Sequence, residues 1–292
     1  MRLTVVWPYL MPASLTLVTL KNSDKMINLN TSRYEKIIDV WSEVEFYLKV
    51  VICCVIAQQF FHWTLGNITL NFSKQVILYW AIGSLSFYGI GLAIEKGIKQ
   101  NKRLTERLTI RTVKVKEQPY PSFTAKGIVI GELKTLITVF SLLFIAPEVH
   151  RGNGLLLNFG WFLLRIVAAD FCFYVAHRLF HERKKLLKIH LKHHEFADTS
   201  SFVAGHKSLT EYIVVTLTDV LPIFIFGYDI TQLLAWTLIG NAYNLEGHSS
   251  LSLCFISSDF HDRHHTHFKG NYGIRGFWDR IFNTLTPIRE KH

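Results

Sequence analysis

The sequence is poor in cysteine and in charged residues. Its four cysteines, Cys53, Cys54, Cys172 and Cys254, lie in or beside apolar stretches and show no CxxC spacing. A cysteine-ligated zinc site and a disulfide framework are therefore not indicated. Charged residues make up only 18 % of the chain, whereas apolar residues make up 49 % and the mean hydropathy is +0.21. This composition favours a membrane protein over a soluble one.

Acidic residues are outnumbered by basic ones. The chain has 22 Asp and Glu against 32 Lys and Arg, which gives a formal charge of +10. The basic residues concentrate between apolar stretches, notably in 95–117 and 183–192. That distribution is typical of topology signals and of contact with anionic lipid, so we expect no nucleic-acid partner.

Long apolar stretches predict membrane-spanning helices, because about 20 apolar residues cross about 30 Å of hydrocarbon. Four such stretches occupy 46–65, 75–94, 128–147 and 155–176. A further pair, 212–227 and 230–245, predicts a helical hairpin with Gly227 as a turn residue. We therefore expect an all-α, multi-pass transmembrane bundle of about four spans plus a hairpin. Residues 1–20 are apolar but interrupted by two prolines; we expect a retained segment and leave open whether it spans.

The basic segments also predict an orientation. By the positive-inside rule the loop 95–117 faces the cytosol, and counting spans onward returns His177 to the same face. The histidine-rich region would then form a helical cap on the cytosolic side. The endoplasmic reticulum and a bacterial inner membrane both fit this arrangement.

Histidine is the residue in excess. Eleven of the fourteen histidines fall between His177 and His267. They form one HxxxH motif at 177–181 and two HxxHH motifs at 190–194 and 261–265. On a helix, residues three and four apart share a face, while adjacent residues diverge by about 100°, so neighbouring histidines can serve different metals. The candidate metal ligands are His177, His181, His190, His193, His194, His206, His248, His261, His264 and His265.

Eight to ten histidines are too many for one ion and enough for two. Imidazole suits zinc, iron, copper and nickel. Two neighbouring ions can activate dioxygen or perform hydrolysis, and spacing alone does not choose between them. A metal transporter is disfavoured because the histidines lie at the ends of the spans instead of along a path inside them.

The motif sequences HRLFH, HLKHHEF and HDRHHTHFKGNYG, followed by FWDR at 277–280, resemble the fatty acid hydroxylase superfamily. This superfamily includes sterol desaturases and C-4 methylsterol oxidases, and the resemblance covers about 125–285. It divides the chain into N-terminal membrane segments with a basic loop, 1–120, and a hydroxylase-like catalytic domain, 121–292.

The resemblance implies a membrane di-iron oxygenase that hydroxylates or desaturates a lipid. Two iron ions would be the cofactor, which zinc can replace on purification, and dioxygen would be the co-substrate. Electrons would come from cytochrome b5 or another separate donor. The alternative from the residues is a dinuclear metallohydrolase or a zinc-binding membrane protein without redox activity.

By motif, the eight histidines of the three boxes take ligand positions, and His248 resembles the ligand between boxes two and three. Asn244 stands where some relatives have a histidine. His206-Lys207 stands where sterol-oxidising members often have His-Pro, and Glu211 approximates their nearby glutamate. Three carboxylates, Glu195, Asp259 and Asp262, are candidates to accept the free ring N–H of a ligand histidine; the alternative is that they are solvated loop carboxylates.

Overall fold

The structure is a computed structural model that describes residues 23–109, 125–196, 200–255 and 259–286. Within these ranges it is all-helical, with no β-strand, as predicted. A π-helical stretch, Ala93–Ile98, and two 3-10 turns, His193–Glu195 and Ser201–Gly205, supplement the α-helices. The α-helices are α1 (Ser23–Leu65), α2 (Phe72–Leu92), α3 (Lys102–Leu108), α4 (Ala125–Ile145), α5 (Leu155–Glu182), α6 (Lys184–His190), α7 (Leu209–Phe226), α8 (Ile230–Gly247), α9 (Asp259–His267) and α10 (Phe277–Ile281).

Residues Ser42–His292 form one compact unit, and the described part of Met1–Trp41 is helical. Within the larger unit, α2 packs against both α4 and α8, and α5 packs against α6 and α7. A helix from before residue 120 is thus integrated with helices from after it. The division into 1–120 and 121–292 stays a prediction.

Four helices are long and apolar enough to cross a membrane, which supports an integral membrane protein. They are Phe72–Ile98, Gly127–Ile145, Leu155–Glu182 and Leu209–Phe226. Three correspond to predicted spans, and the fourth is the first arm of the predicted hairpin. The predicted span 46–65 is helical but does not belong to this group, so the number of spans and their orientation stay predictions.

Part of α1 nevertheless presents an apolar face of membrane length. Val44, Leu48, Ile52, Ile56, Phe60 and Trp63 are all exposed along one side of the helix. The 19 helical steps from Val44 to Trp63 rise about 28 Å, close to the thickness of the hydrocarbon core. Polar residues such as the fully buried Gln58 lower the average hydropathy of α1 without lying on its exposed face.

The predicted hairpin is present as α7 and α8, but its arms pack against different helices. Gly227 ends α7 with a φ of +77°, and a Cβ there would meet the carbonyl oxygen of Pro147 at 2.7 Å, so glycine is required. Asp229 then caps α8 by accepting the backbone N–H groups of Thr231 and Gln232. Because α7 packs on α5 and α8 packs on α2, a cavity lies between the two arms.

Candidate metal centre

Four chain segments bring histidines to one end of the bundle. The last two turns of α5 carry His177 and His181, one helical turn apart. The spacing of the second motif predicted one continuous helix, but the structure differs. The α6 helix ends at His190, and His193 begins a separate 3-10 turn. His248 caps the C-terminus of α8. The last motif lies on α9, which carries His261, His264 and His265.

Nine of the ten predicted ligands gather in two groups. In each group the ligand nitrogens lie within 4.8 Å of one another. Two pairs of adjacent histidines, His193–His194 and His264–His265, are each divided between the groups, as the helical geometry predicts. Group 1 contains His177, His181, His190, His194 and His264. Group 2 contains His193, His248, His261 and His265.

The distances within group 1 match a coordination shell. The Nε2 atom of His190 lies 3.1 Å from Nε2 of His177 and 2.9 Å from Nε2 of His194. Nε2 of His194 lies 3.1 Å from Nε2 of His264. Two nitrogens that each bind an ion at about 2.1 Å stand roughly 3.0–3.4 Å apart for bond angles between 90° and 109°. The buried Nε2 of His181 has no hydrogen-bond partner among the described residues.

Group 2 has the same spacing with one ligand fewer. Nε2 of His248 lies 3.3 Å from Nε2 of His193 and 2.9 Å from Nε2 of His261. Nε2 of His261 lies 3.2 Å from Nε2 of His265. All four side chains are buried. A second ion can therefore be held by four imidazoles.

The outer ring nitrogens are held mostly by backbone carbonyls. Nδ1 of His177 donates to the carbonyl oxygen of Tyr272 at 2.8 Å, and Nδ1 of His264 donates to that of Gly270 at 2.7 Å. Nδ1 of His248 donates to the carbonyl oxygen of Asn244 at 2.8 Å, four residues earlier. A carbonyl only accepts, so each Nδ1 carries the proton and each Nε2 points its lone pair inward.

One outer partner is a carboxylate. Glu211, in the first turn of α7, is completely buried and lies 2.7 Å from Nδ1 of His190. Ser208 caps that turn through the N–H of Glu211. The arrangement orients the ring and strengthens Nε2 as a ligand. The glutamate that the sequence resemblance only approximated thus contacts a candidate ligand directly.

Burial keeps these rings neutral. It lowers the pKa of His190 to about 2 and the pKa values of His248 and His264 to about 3. Burial also lowers the pKa of His193, with a further contribution from the neighbouring Lys207 ammonium. Metals bind neutral imidazole, so the rings are in the ligating form at neutral pH.

The geometry of neutral rings fits a cation in each group. In group 1, His177 and His190 face each other with two inward lone pairs 3.1 Å apart. In group 2, the Nε2 atoms of His193 and His248 lie 3.3 Å apart. Because Nδ1 of His193 donates to the carbonyl oxygen of His206, its Nε2 also points a lone pair inward. Two such acceptors cannot form a hydrogen bond with each other, whereas a metal ion satisfies both.

Several predicted residues lie outside the two groups. Nε2 of His206 lies 2.9 Å from the exposed carboxylate of Glu195, and its ring belongs to neither group. His206 contributes through its carbonyl oxygen instead. Asp262 accepts the Ser250 hydroxyl, and Glu195 contacts His206, so neither carboxylate is placed as the outer partner of a clustered histidine. The Asp259 side chain lies outside the described residues.

The segment 270–279 supports His177 in a way the motifs did not predict. Asp279, completely buried, accepts the N–H groups of Tyr272 at 2.8 Å and Gly273 at 2.7 Å and the Thr284 hydroxyl at 2.6 Å. This fixes the loop that offers the Tyr272 carbonyl to His177. The positive φ of Gly270, +78°, similarly shapes the loop that offers its carbonyl to His264. The one sequence signal for this residue is the FWDR motif at 277–280, which contains Asp279.

A cavity of about 450 Å³ extends from group 2 into the helical bundle. His193, His248 and His261 line one end, and no member of group 1 lines it. Its walls come from α2, α4, α5, α7 and α8. Small residues leave the space, among them Gly83, Gly131 and Gly240. Group 2 therefore faces the cavity, whereas group 1 lies behind it.

Comparison with known proteins places these residues in a family. Residues 162–284, which contain all nine clustered histidines, match the fatty acid hydroxylase family model. The human fatty acid hydroxylase domain-containing protein 2 is 28 % identical over 142 residues, 46 % of this chain and 42 % of that protein. Methylsterol monooxygenase 1 from Gallus gallus is 29 % identical over 128 residues, 40 % of this chain and 43 % of that protein. Methylsterol monooxygenase 1 from Danio rerio is 27 % identical over 136 residues, 43 % of this chain and 47 % of that protein.

The chain thus matches less than half the length of each of these relatives. No solved structure gives a significant match. The resemblance inferred from the histidine motifs is confirmed for the part of the chain that carries them, because residues 162–284 match the fatty acid hydroxylase family model.

Proposed function

We propose that the chain is a membrane-bound di-iron oxygenase that hydroxylates or desaturates a lipid. One observation carries the proposal: nine histidine side chains converge in two groups, and one group opens into a cavity between membrane helices. Dioxygen would be the oxidant, and a separate protein such as cytochrome b5 would supply electrons.

The donor set suits two ions of borderline character. Group 1 would hold one ion with five imidazoles and group 2 the other with four. Imidazole suits iron as well as zinc. When bound, a pair of iron ions supplies the redox chemistry that the oxidation of an unactivated C–H bond requires.

The protein's own residues position the reaction. The backbone carbonyls of Tyr272, Gly270 and Asn244 fix three rings, and Glu211 fixes a fourth. Because only group 2 lines the cavity, a substrate carbon would approach His193, His248 and His261. Burial of the group 2 side chains limits the access of water to the centre.

A lipid substrate follows from the position of the cavity. All four candidate spans contribute to its walls, so a molecule can reach it from the hydrocarbon layer. The basic, exposed residues of α6 and its N-cap, Arg183, Lys184, Lys185 and Lys188, adjoin the histidine end. They support a cytosolic orientation, in the endoplasmic reticulum or a bacterial inner membrane.

The test begins with metal content. Purified protein loaded with ferrous iron is expected to carry two ions per chain, and His264→Ala is expected to lower that content. His267→Ala is the matched control, because His267 lies on the same helix but is exposed and outside both groups. A fully loaded wild-type protein with fewer than two ions per chain would contradict the proposal.

Activity is tested by lipid profiling of membranes that contain wild-type protein, His264→Ala or His267→Ala. An oxidised lipid is expected with wild type and His267→Ala only, and only when dioxygen and a reductant are present. A product that forms without either would instead support a metallohydrolase.

A further inference from the structure

A carboxylate lines the cavity far from the metal centre. Asp219 lies near the middle of α7, one of the helices long and apolar enough to span a membrane. Ionisable residues inside such segments are costly and usually functional. Its two carboxylate oxygens lie 3.0 and 3.1 Å from Nε1 of Trp236, which donates to them.

Asp219 retains capacity to accept hydrogen bonds. A carboxylate offers about four acceptor positions. Among the described residues, the Trp236 indole is its one hydrogen-bond donor. The remaining positions can serve a donor that enters the cavity.

A buried arginine offsets the charge at this end of the cavity. The guanidinium carbon of Arg165 lies 4.5 Å from the centroid of the Trp236 ring, and Arg165 attracts Asp219 electrostatically. Its Nε and Nη2 atoms are buried without a hydrogen-bond partner among the described residues. A positive and a negative side chain thus flank Trp236, so the site as a whole favours a neutral donor over an ammonium group.

The position along α8 sets a distance. Trp236, Gly240, Asn244 and His248 form one stripe of the cavity wall. The twelve helical steps from Trp236 to His248 rise about 18 Å along the helix axis. A molecule that reaches from Asp219 to group 2 is therefore elongated.

We propose that the Asp219 end of the cavity binds the hydroxyl group of an elongated lipid alcohol whose opposite end is presented to group 2. The inference rests on the proposed function for the identity of the reacting end. The hydroxyl donates to Asp219, and the apolar body of the lipid lies along α8. Oxidation would then occur far from the existing hydroxyl instead of next to it.

Binding can be measured without catalysis. The probes are cholesterol and 1-hexadecanol, each compared with the analogue in which hydrogen replaces the hydroxyl, in detergent-solubilised holoprotein. At least one alcohol is expected to bind about tenfold or more tightly than its analogue, the effect of a hydrogen bond to a charged acceptor. Asp219→Leu, which is similar in size but cannot accept, is expected to remove this preference.

Glu132→Gln is the matched control in the same cavity. Glu132 already accepts the Trp80 indole N–H at 2.8 Å and the hydroxyls of Ser84 and Tyr88. Its substitution should leave the preference for the alcohol unchanged. The proposal is overturned if neither alcohol is preferred, if the preference persists in Asp219→Leu, or if Glu132→Gln abolishes it.

A measurement on wild-type protein covers the case in which Asp219→Leu does not fold. Versions of both alcohols that carry a photoreactive diazirine beside the hydroxyl are expected to label the peptides that contain Asp219 or Trp236. Labelling at 244–248 instead would place the hydroxyl at the metals and overturn the proposal. Neither binding nor labelling requires turnover, so a failure of the oxygenase proposal would appear separately, as absent oxidation with intact binding.

Discussion

Substitution of Glu211, which contacts His190, should lower the affinity of the metal centre for one of its two ions. Glu211→Leu leaves the buried Nδ1–H of His190 without its acceptor, which stands 2.7 Å away in the wild-type protein. Loss of such an outer partner typically lowers metal affinity about 10- to 100-fold. His190 belongs to group 1, so the ion in that group should be affected first.

A chelator titration followed by metal analysis measures this effect. Wild-type protein and Glu211→Leu are loaded with two ions and then exposed to increasing chelator. The variant is expected to release one ion at a chelator concentration about 10- to 100-fold lower and to retain the second, because group 2 does not contain His190. Glu211→Gln keeps a carbonyl oxygen as acceptor, so it should release its first ion at a chelator concentration between those of Glu211→Leu and the wild type.

Glu195→Gln provides the control, since the Glu195 carboxylate contacts the ring of His206, which lies outside both groups. Its release curve should overlay that of the wild type. An identical curve for Glu211→Leu, in a protein with unchanged thermal stability, would show that Glu211 does not orient a metal ligand.

Three further predictions concern Asp279, two of the clustered histidines and Lys188. Asp279→Ala removes the acceptor for the Tyr272 and Gly273 N–H groups. The thermal unfolding temperature and the chelator concentration that removes the group 1 ion should therefore both fall. If neither changes, the loop does not support His177 through the Tyr272 carbonyl. In metal-free protein, burial lowers the pKa values of His248 and His264 to about 3, against about 6.5 when unfolded. The unfolded chain then binds more protons than the folded one below pH 6.5. Each of these two histidines should therefore lower the free energy of unfolding by about 1.4 kcal/mol for every pH unit below about 6.5 and should have no effect above it. A free energy of unfolding that does not change between pH 4.5 and 6.5 would contradict this. Charge reversal of the exposed Lys188 should weaken the reaction with an acidic electron donor at low salt while leaving metal content unchanged, as measured by the rate of reduction.

Local spacing predicted much of the metal centre because helical geometry is set by neighbouring residues. The four-residue interval from His177 to His181 places both rings on one face of α5, and both lie in group 1. The adjacent pair His264 and His265 diverges on α9 and reaches different groups. Composition likewise predicted the helical class and most of the spans.

The outer partners could not be predicted in the same way. Every residue has a backbone carbonyl, so nothing in the sequence distinguishes those of Tyr272 and Asn244, which hold His177 and His248. The carboxylates chosen from proximity in sequence, Glu195 and Asp262, have other partners, whereas Glu211 reaches His190 from 21 residues away. Contacts of this kind depend on how α6 and α7 pack.

The division between matched and unmatched residues bears on substrate choice. The family match covers 162–284 and includes the nine histidines, whereas α2 and α4 lie before it. Those two helices nevertheless supply much of the cavity wall, including Tyr79, Gly83 and Thr135. The family match therefore bears on the metal centre more than on the shape of the cavity. Substitutions in α2 and α4 should change which lipid is bound without changing the number of ions held.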